Sequence, residues 1–214
     1  MNTIAIIDYG MGNLHSVAKA LELVGDNAKI IITNQAREIK KASRVLFPGV
    51  GAIRDCIEGL NRLALSEALK EAAQEKPVLA VCVGMQAVMN SSEENNGVDC
   101  LGILPGQVKL FPVDMYTPDN ESRLKIPHMG WNQVQHVKDH FLWKGIAQNS
   151  RFYFVHSYYV ESEDESIVAG STEYGVKFSS ALTKDNLFAV QFHPEKSQHA
   201  GLALLKNFVN WSVE

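Results

Sequence analysis

Residues 77–86 read PVLAVCVGMQ: an uncharged apolar run, a cysteine, a glycine two residues later, and then a helix-like segment. The pattern predicts a buried strand over 77–82 and a helix over 84–92, joined by a tight turn at Cys82. Such a turn points a side chain out over the sheet edge, and a small neighbouring residue lets it close without a Cβ clash. The helix N-terminus favours a thiolate and lowers a thiol pKa from about 8.5 into a range of roughly 3.5–7.5. The pattern alone fits two readings, a nucleophile or a buried structural thiol, since free cysteine is among the most buried residue types.

The same strand-and-helix rhythm runs outward from this stretch. Toward the N-terminus, 3–8 (TIAIID), 28–33 (AKIIIT) and 44–47 (RVLF) read as strands. Leu14, Val17, Ala18, Leu21 and Val24 fall at helical spacing over 13–24, with Gly25 at the C-cap. A helical stretch over 52–75 has a break expected near Asn61. Short uncharged strands separated by helices are what a parallel sheet covered on both faces requires. The second half changes character. Residues 106–111, 132–137, 151–161, 167–172, 176–182 and 187–192 read as strands with short turns, and 199–211 as a closing helix. This predicts antiparallel additions to the parallel sheet. Residues 112–131, with three prolines and mixed polarity, read as a functional loop.

The composition bounds the function classes. The 214 residues, 46% of them apolar, fit a single domain over 1–214 that needs no disulfide or metal staple. Twenty basic residues against 24 acidic ones give a net charge of −4. That balance argues against a nucleic-acid partner, which calls for clustered Lys and Arg. No apolar run approaches a bilayer span, and the opening MNTIAIIDYG lacks a basic signal region. No membrane association is expected, and the cytoplasm is the expected location. Cys56, Cys82 and Cys100 form neither a disulfide framework nor a zinc pattern, and the seven histidines are scattered. No metal and no cofactor are expected. Gly10 and Gly12 hint at a nucleotide loop, but the third glycine position of that motif is His15.

A thiol nucleophile needs a base and a group to orient the base. Residues 187–197, LFAVQFHPEKS, supply both candidates. In extended backbone, residues two apart share a side, so Glu195 can hold one ring nitrogen of His193 while the other faces the thiol. Alone, His-Pro-Glu fits an ordinary loop; paired with a strand-end cysteine it is a much rarer combination. Ligands in open α/β sheets bind beyond the carboxyl ends of strands. Acyl transfer also needs an oxyanion site. FPGVG (47–51) ends a third apolar strand, and its glycines free the amides around Val50 to turn toward a ligand. A plain Pro-Gly turn remains the other reading of that segment.

AVCVGMQ together with QFHPE resembles the class I, triad-type glutamine amidotransferases, over essentially the whole chain, with FPGVG in the position of their oxyanion strand. The resemblance implies a three-layer α/β fold with an open, mostly parallel, flavodoxin-like sheet. It implies that Cys82, His193 and Glu195 form a catalytic triad hydrolysing L-glutamine to glutamate and ammonia through a thioester. The oxyanion amides would belong to Val50, Gly51 and Val83. By the same resemblance, Gly51, Gln86, Glu94, Ser157 and Tyr158 would contact glutamine. The segments IDYGMGN (7–13), LFPGVGA (46–52), IPHMGWN (126–132) and YFVHSYY (153–159) resemble one branch of the family. In that branch, a glutaminase subunit passes ammonia to a separate (β/α)8 barrel cyclase in histidine biosynthesis. The implied assembly is a heterodimer, with Asn13, Pro127, Met129, Trp131, Tyr153 and Lys196 at the interface. The oxyanion strand is expected to reorient when that partner is occupied.

Overall fold

The computed structural model describes residues 2–25, 27–117 and 122–212. The first half runs β1 (Thr3–Ile7), α1 (Leu14–Val24), β2 (Lys29–Thr33), α2 (Ala36–Lys41), β3 (Arg44–Gly49), α3 (Ile53–Arg62), α4 (Ser66–Glu75), β4 (Val78–Cys82) and a short α5 (Val83–Ala87). The second half begins with β5 (Ser91–Ser92), β6 (Val98–Asp99), β7 (Gly106–Leu110), β8 (His128–Gln133), β9 (Gln135–His136) and β10 (Arg151–His156). It ends with β11 (Tyr158–Ser162), β12 (Val168–Tyr174), β13 (Val176–Lys184), β14 (Leu187–Val190) and α6 (Gln198–Asn210).

The main sheet has the order β2-β1-β3-β4-β14-β13-β11-β7-β5-β6, with β12 and β9 paired off this line. From β2 to β14 all neighbours are parallel. Beyond β14 the pairs with β13, β11 and β7 are antiparallel. The expected mostly parallel sheet with antiparallel additions is therefore present. Strands β8 and β10 form a separate antiparallel ribbon. Helices cover both sheet faces: α1 packs on α6, α2 on α4, and α3 on α5.

Burial explains why these segments take these forms. Every residue of β4 is buried, as a central strand covered on both faces demands. In α3, Ile53, Cys56, Gly59 and Leu60 make the buried stripe, while Arg54, Asp55 and Glu58 face outward. The helical stretch over 52–75 breaks between Arg62 and Ser66, just past the break expected near Asn61, where Ala64 takes a positive φ of 52°. The same core continues to the ribbon, where Phe154 and Phe178 pack against His128 and His156, and Phe152 and Phe192 against each other.

Three expectations need correction. The helix expected over 84–92 is only one turn, because Ser91 and Ser92 pair with β7 instead. The strand expected over 132–137 begins at His128, so 128–131 are not loop; residues 118–121 of that expected loop lie outside the described residues. The sequence reading placed no helix at Ala36–Lys41, where only Ile39 is buried and no apolar period exists to see.

Candidate active site

Cys82 closes β4 with φ 56° and ψ −112°, and Val83 begins α5 at once. A positive φ is rare for a residue with a Cβ and is held only where packing enforces it. Here the enforcement is the contact between α5 and the end of β3. A Cβ on Gly84 would overlap the carbonyl oxygen of Phe47. The glycine two residues after the cysteine is thus required by close packing, as the sequence pattern suggested.

Strand β14 lies beside β4, pairing Val190 with Val81, and carries His193 to the same sheet edge. His193 is buried, and its Nδ1–H donates to Glu195 Oε1 at 3.0 Å. The Glu195 side chain is 3% exposed. The imidazole's other nitrogen, Nε2, has no hydrogen-bond partner among the described residues, and the ring lines one cavity with Cys82. Burial alone would disfavour the imidazolium, but the neighbouring Cys82 sulfur and then Glu195 outweigh it and push the pKa up to about 10. The surroundings of the ring favour its protonated form.

The main chain of His193 is pinned as firmly as its ring. Its N–H donates to the Tyr153 carbonyl at 2.9 Å. Its carbonyl accepts from the Ser197 hydroxyl at 2.6 Å, and that hydroxyl accepts from the Tyr153 N–H at 2.9 Å. Sequence reasoning passed over Ser197.

A cavity of about 360 Å³ opens over this edge. Its wall includes Cys82, Val83 and His193 from the elbow and β14, Val50 and Gly51 from the turn after β3, and Gln86 from α5. Glu94, Pro127, His156, Ser157 and Tyr158 complete the far side. All the residues proposed for catalysis, oxyanion and glutamine contact therefore line one cavity, except Glu195, which stands behind His193. The volume suits a ligand of amino-acid size. Gly51 sits at φ 83°, a conformation that favours glycine.

Glu94 is half-buried, and its Oε2 accepts from the Ile53 N–H at 3.1 Å. It caps α3 from outside, where a carboxylate complements the helix dipole. The Tyr158 hydroxyl has its pKa raised by burial, then by Glu94 and Glu93, and Tyr158 and Glu94 line the same cavity. Gln86 is buried, and its Nε2 donates to the Tyr158 carbonyl and to Gln191 Oε1, both at 3.1 Å. Only its carbonyl oxygen remains for a ligand.

The other two thiols lie away from the cavity. Burial pushes Cys56 up to about 12; burial, then Asp99 and Glu94, do the same for Cys100. Among the described residues, no group of three or more His, Cys, Asp or Glu is placed to hold a metal ion. No described helix is long and apolar enough to cross a membrane.

The ribbon flanks the cavity. Met129 and Trp131 share its outer side and are 62% and 40% exposed. Trp131 meets the Tyr153 ring edge-on at 6.1 Å, and Lys196 Nζ stands 5.8 Å from that same ring. Pro127 is exposed at the cavity wall. Asn13 is exposed at the start of α1, which packs beside the turn carrying Lys196. His128 and His156, buried on the ribbon's inner side, are joined Nδ1 to Nε2 at 2.9 Å.

The sequence profile described as "Glutamine amidotransferase class-I" matches residues 5–211. Among curated proteins, the chain is 54% identical over 211 residues to "Imidazole glycerol phosphate synthase subunit HisH" of Pseudomonas syringae pv. syringae (strain B728a), covering 99% of this chain and 98% of that protein. The protein of the same name from Acinetobacter baylyi (strain ATCC 33305 / BD413 / ADP1) is 55% identical over the full length of both. Among solved structures, "PurLQS from Thermotoga maritima" superposes with a TM-score of 0.71 at 14% identity, covering 97% of each chain. A structure titled "glutamine amidotransferase" gives 0.68 at 13% identity, covering 97% of this chain and 99% of that one.

Proposed function

The chain belongs to the class-I glutamine amidotransferases, and from that premise we propose how it acts: as the glutaminase subunit of an imidazole glycerol phosphate synthase, hydrolysing L-glutamine at Cys82. The observation that carries this reading is the convergence of a strand-end thiol, a Glu195-held imidazole and Glu94 on one cavity of about 360 Å³. Relatives more than 50% identical over nearly the whole chain supply the biosynthetic context.

The reaction follows from the geometry. The thiolate of Cys82 attacks the side-chain carbonyl carbon of glutamine while the amides of Val50, Gly51 and Val83 receive the developing oxyanion. The His193 imidazolium gives its proton to the departing nitrogen, which leaves as ammonia, and a γ-glutamyl thioester remains on Cys82. Neutral His193 then takes a proton from water. The resulting hydroxide displaces the thiolate, releasing glutamate and restoring the imidazolium. Glu195 orients the ring and favours its cation. Glu94 uses its free oxygen to pair with the substrate ammonium, and Ser157 and Tyr158 meet the substrate carboxylate.

Ammonia released into water protonates and stops being a nucleophile, so a glutaminase that feeds another reaction must be sealed against its acceptor. The acceptor in this reading is a (β/α)8 barrel cyclase forming a heterodimer with this chain, docked on Asn13, Pro127, Met129, Trp131, Tyr153 and Lys196. It uses ammonia to form imidazole glycerol phosphate and an aminoimidazole carboxamide ribotide on the route to histidine. The cytoplasm is the site of action, and the oxyanion strand reorients when the cyclase is occupied. The test is glutaminase turnover of the purified chain, alone and with the cyclase plus a ligand in the cyclase site. Low activity alone and a large rise with both supports the reading. A folded chain with no rise points to a different acceptor.

A further inference from the structure

One polar side chain outside the triad reaches the nucleophile. Gln191 follows β14 directly, is fully buried, and interrupts the otherwise apolar stretch LFAVQF. It does not line the cavity, so it is not placed to touch a substrate. Burying a carboxamide costs free energy unless its polar atoms are engaged. Its main-chain N–H donates to the Ser180 carbonyl. Its side chain bridges two groups of the site: Nε2 lies 3.8 Å from Cys82 Sγ, and Oε1 accepts from Gln86 Nε2 at 3.1 Å.

The two ends of a carboxamide have nearly the same shape, so its orientation rests on the network around it. The Tyr158 carbonyl only accepts, and it meets both His156 Nδ1 at 2.7 Å and Gln86 at 3.1 Å. The Gln86 atom facing it must therefore be the amide nitrogen. The second hydrogen of that nitrogen reaches Gln191, whose facing atom must be the oxygen. Gln191 is left with its NH2 turned on the sulfur. An N–H donor bonds a thiolate more strongly than a neutral thiol, because charge-assisted hydrogen bonds are roughly twice as strong.

We propose that Gln191, held in orientation by Gln86, is the hydrogen-bond donor that stabilises the Cys82 sulfur as thiolate and fixes its line of attack on glutamine. This deepens the glutaminase reading and rests on it. The donor acts whenever the sulfur is charged: before the bond to the substrate carbon forms, and again as water displaces the thiolate from the thioester. Gln191 reaches glutamine only through Gln86, whose amide nitrogen keeps its bond to the Tyr158 carbonyl when Gln191 is changed, so its loss is felt mainly in kcat.

The experiment compares the wild-type chain with Gln191→Met, which keeps length and loses the donor, and Gln191→Glu, which puts an acceptor in its place. Each is mixed at pH 7, in the complex with the cyclase and a ligand in the cyclase site, with a glutamine-mimicking electrophile, and Cys82 labelling is followed by mass spectrometry. In parallel, kcat and KM are measured in the complex with the cyclase. We expect wild-type labelling to slow about tenfold or more in Gln191→Met and further in Gln191→Glu. We expect kcat to fall in step and KM to stay within about twofold. A wild-type chain that does not label sinks the glutaminase reading itself. A wild type that labels, with a folded Gln191→Met that labels and turns over at the same rate, overturns the role of Gln191 alone; so does a loss confined to KM. If the variants do not fold, the side-chain amide resonance of Gln191 decides in the wild type. Movement on alkylation of Cys82 supports the bond, and an unmoved resonance overturns it.

Discussion

Gly49 at the end of β3 and Gly84 in the first turn of α5 meet backbone to backbone: a Cβ on Gly49 would stand 2.5 Å from the amide nitrogen of Gly84 and 2.8 Å from Val83 Cβ. The cysteine elbow and the turn carrying Val50 are therefore positioned by each other. Gly49→Ala or Gly84→Ala is expected to destabilise the chain by about 1–3 kcal/mol through overpacking. Residual folded protein should label Cys82 far more slowly, because the overlap is relieved by moving the amides that receive the oxyanion. Urea unfolding and labelling of the same samples check both parts.

Glu94 serves two partners, and they separate by substitution. Glu94→Gln keeps an oxygen for the Ile53 N–H and loses the charge offered to the substrate ammonium. Stability should change little, while KM for glutamine rises about 10–100-fold, as loss of a charge-assisted bond worth about 1.5–3 kcal/mol requires. Glu94→Ala should add a stability loss of about 1 kcal/mol from the uncapped helix. Steady-state kinetics and a melting curve for each variant decide.

The pair His128–His156 makes stability fall with acid. Burial lowers His128 to about 4 and His156 to about 3, the latter despite its bond to the Tyr158 carbonyl. Both rings titrate near 6.5 when unfolded, so the unfolded chain binds the protons first. Stability is full above about pH 6.5 and is lost as pH falls toward 4, by on the order of 3 kcal/mol for His128. His128→Gln should unfold more easily at pH 7 and show a shallower acid slope. Urea midpoints between pH 4.5 and 7.5 test this.

In the proposed heterodimer the exposed Trp131, edge-on to the Tyr153 ring, is the anchor of the partner surface. Trp131→Ala should weaken binding to the cyclase about 30-fold, as an anchor worth about 2 kcal/mol implies. Labelling of Cys82 in the free chain should be unchanged. Titration calorimetry with the cyclase is the measurement.

Much of the site was legible because its residues sit where strands end. PVLAVC and LFAVQF are uncharged enough to be central strands; Cys82 ends the first and His193 follows the second. The Cys-x-Gly spacing foretold a packing constraint that the Phe47 carbonyl imposes. Gln191 was passed over even though a glutamine inside an apolar strand was a visible anomaly, because its partners, Cys82 and Gln86, lie more than 100 residues away in the chain. Ser197 is equally opaque, since its work is to join His193 to Tyr153. Strand β8 was misplaced because PHMGWN alternates buried and exposed positions with residues that carry no clear β signal. Helix α2 offers a single buried side chain, too little for any period.

The place of β14 has a consequence for how the molecule comes into being. It is the last strand in the chain, yet it stands between β4 and β13 and alone joins the parallel half of the sheet to the antiparallel half. A nascent chain stopped before residue 187 has two half-sheets with open facing edges and a thiol with no base. Closure is long-range and comes late, which makes it slow and leaves the open edges exposed to mispairing meanwhile. In return, Cys82 acquires the imidazole of His193 only when synthesis is nearly complete, so under the proposed mechanism a fragment from a stalled ribosome lacks the base needed to consume glutamine.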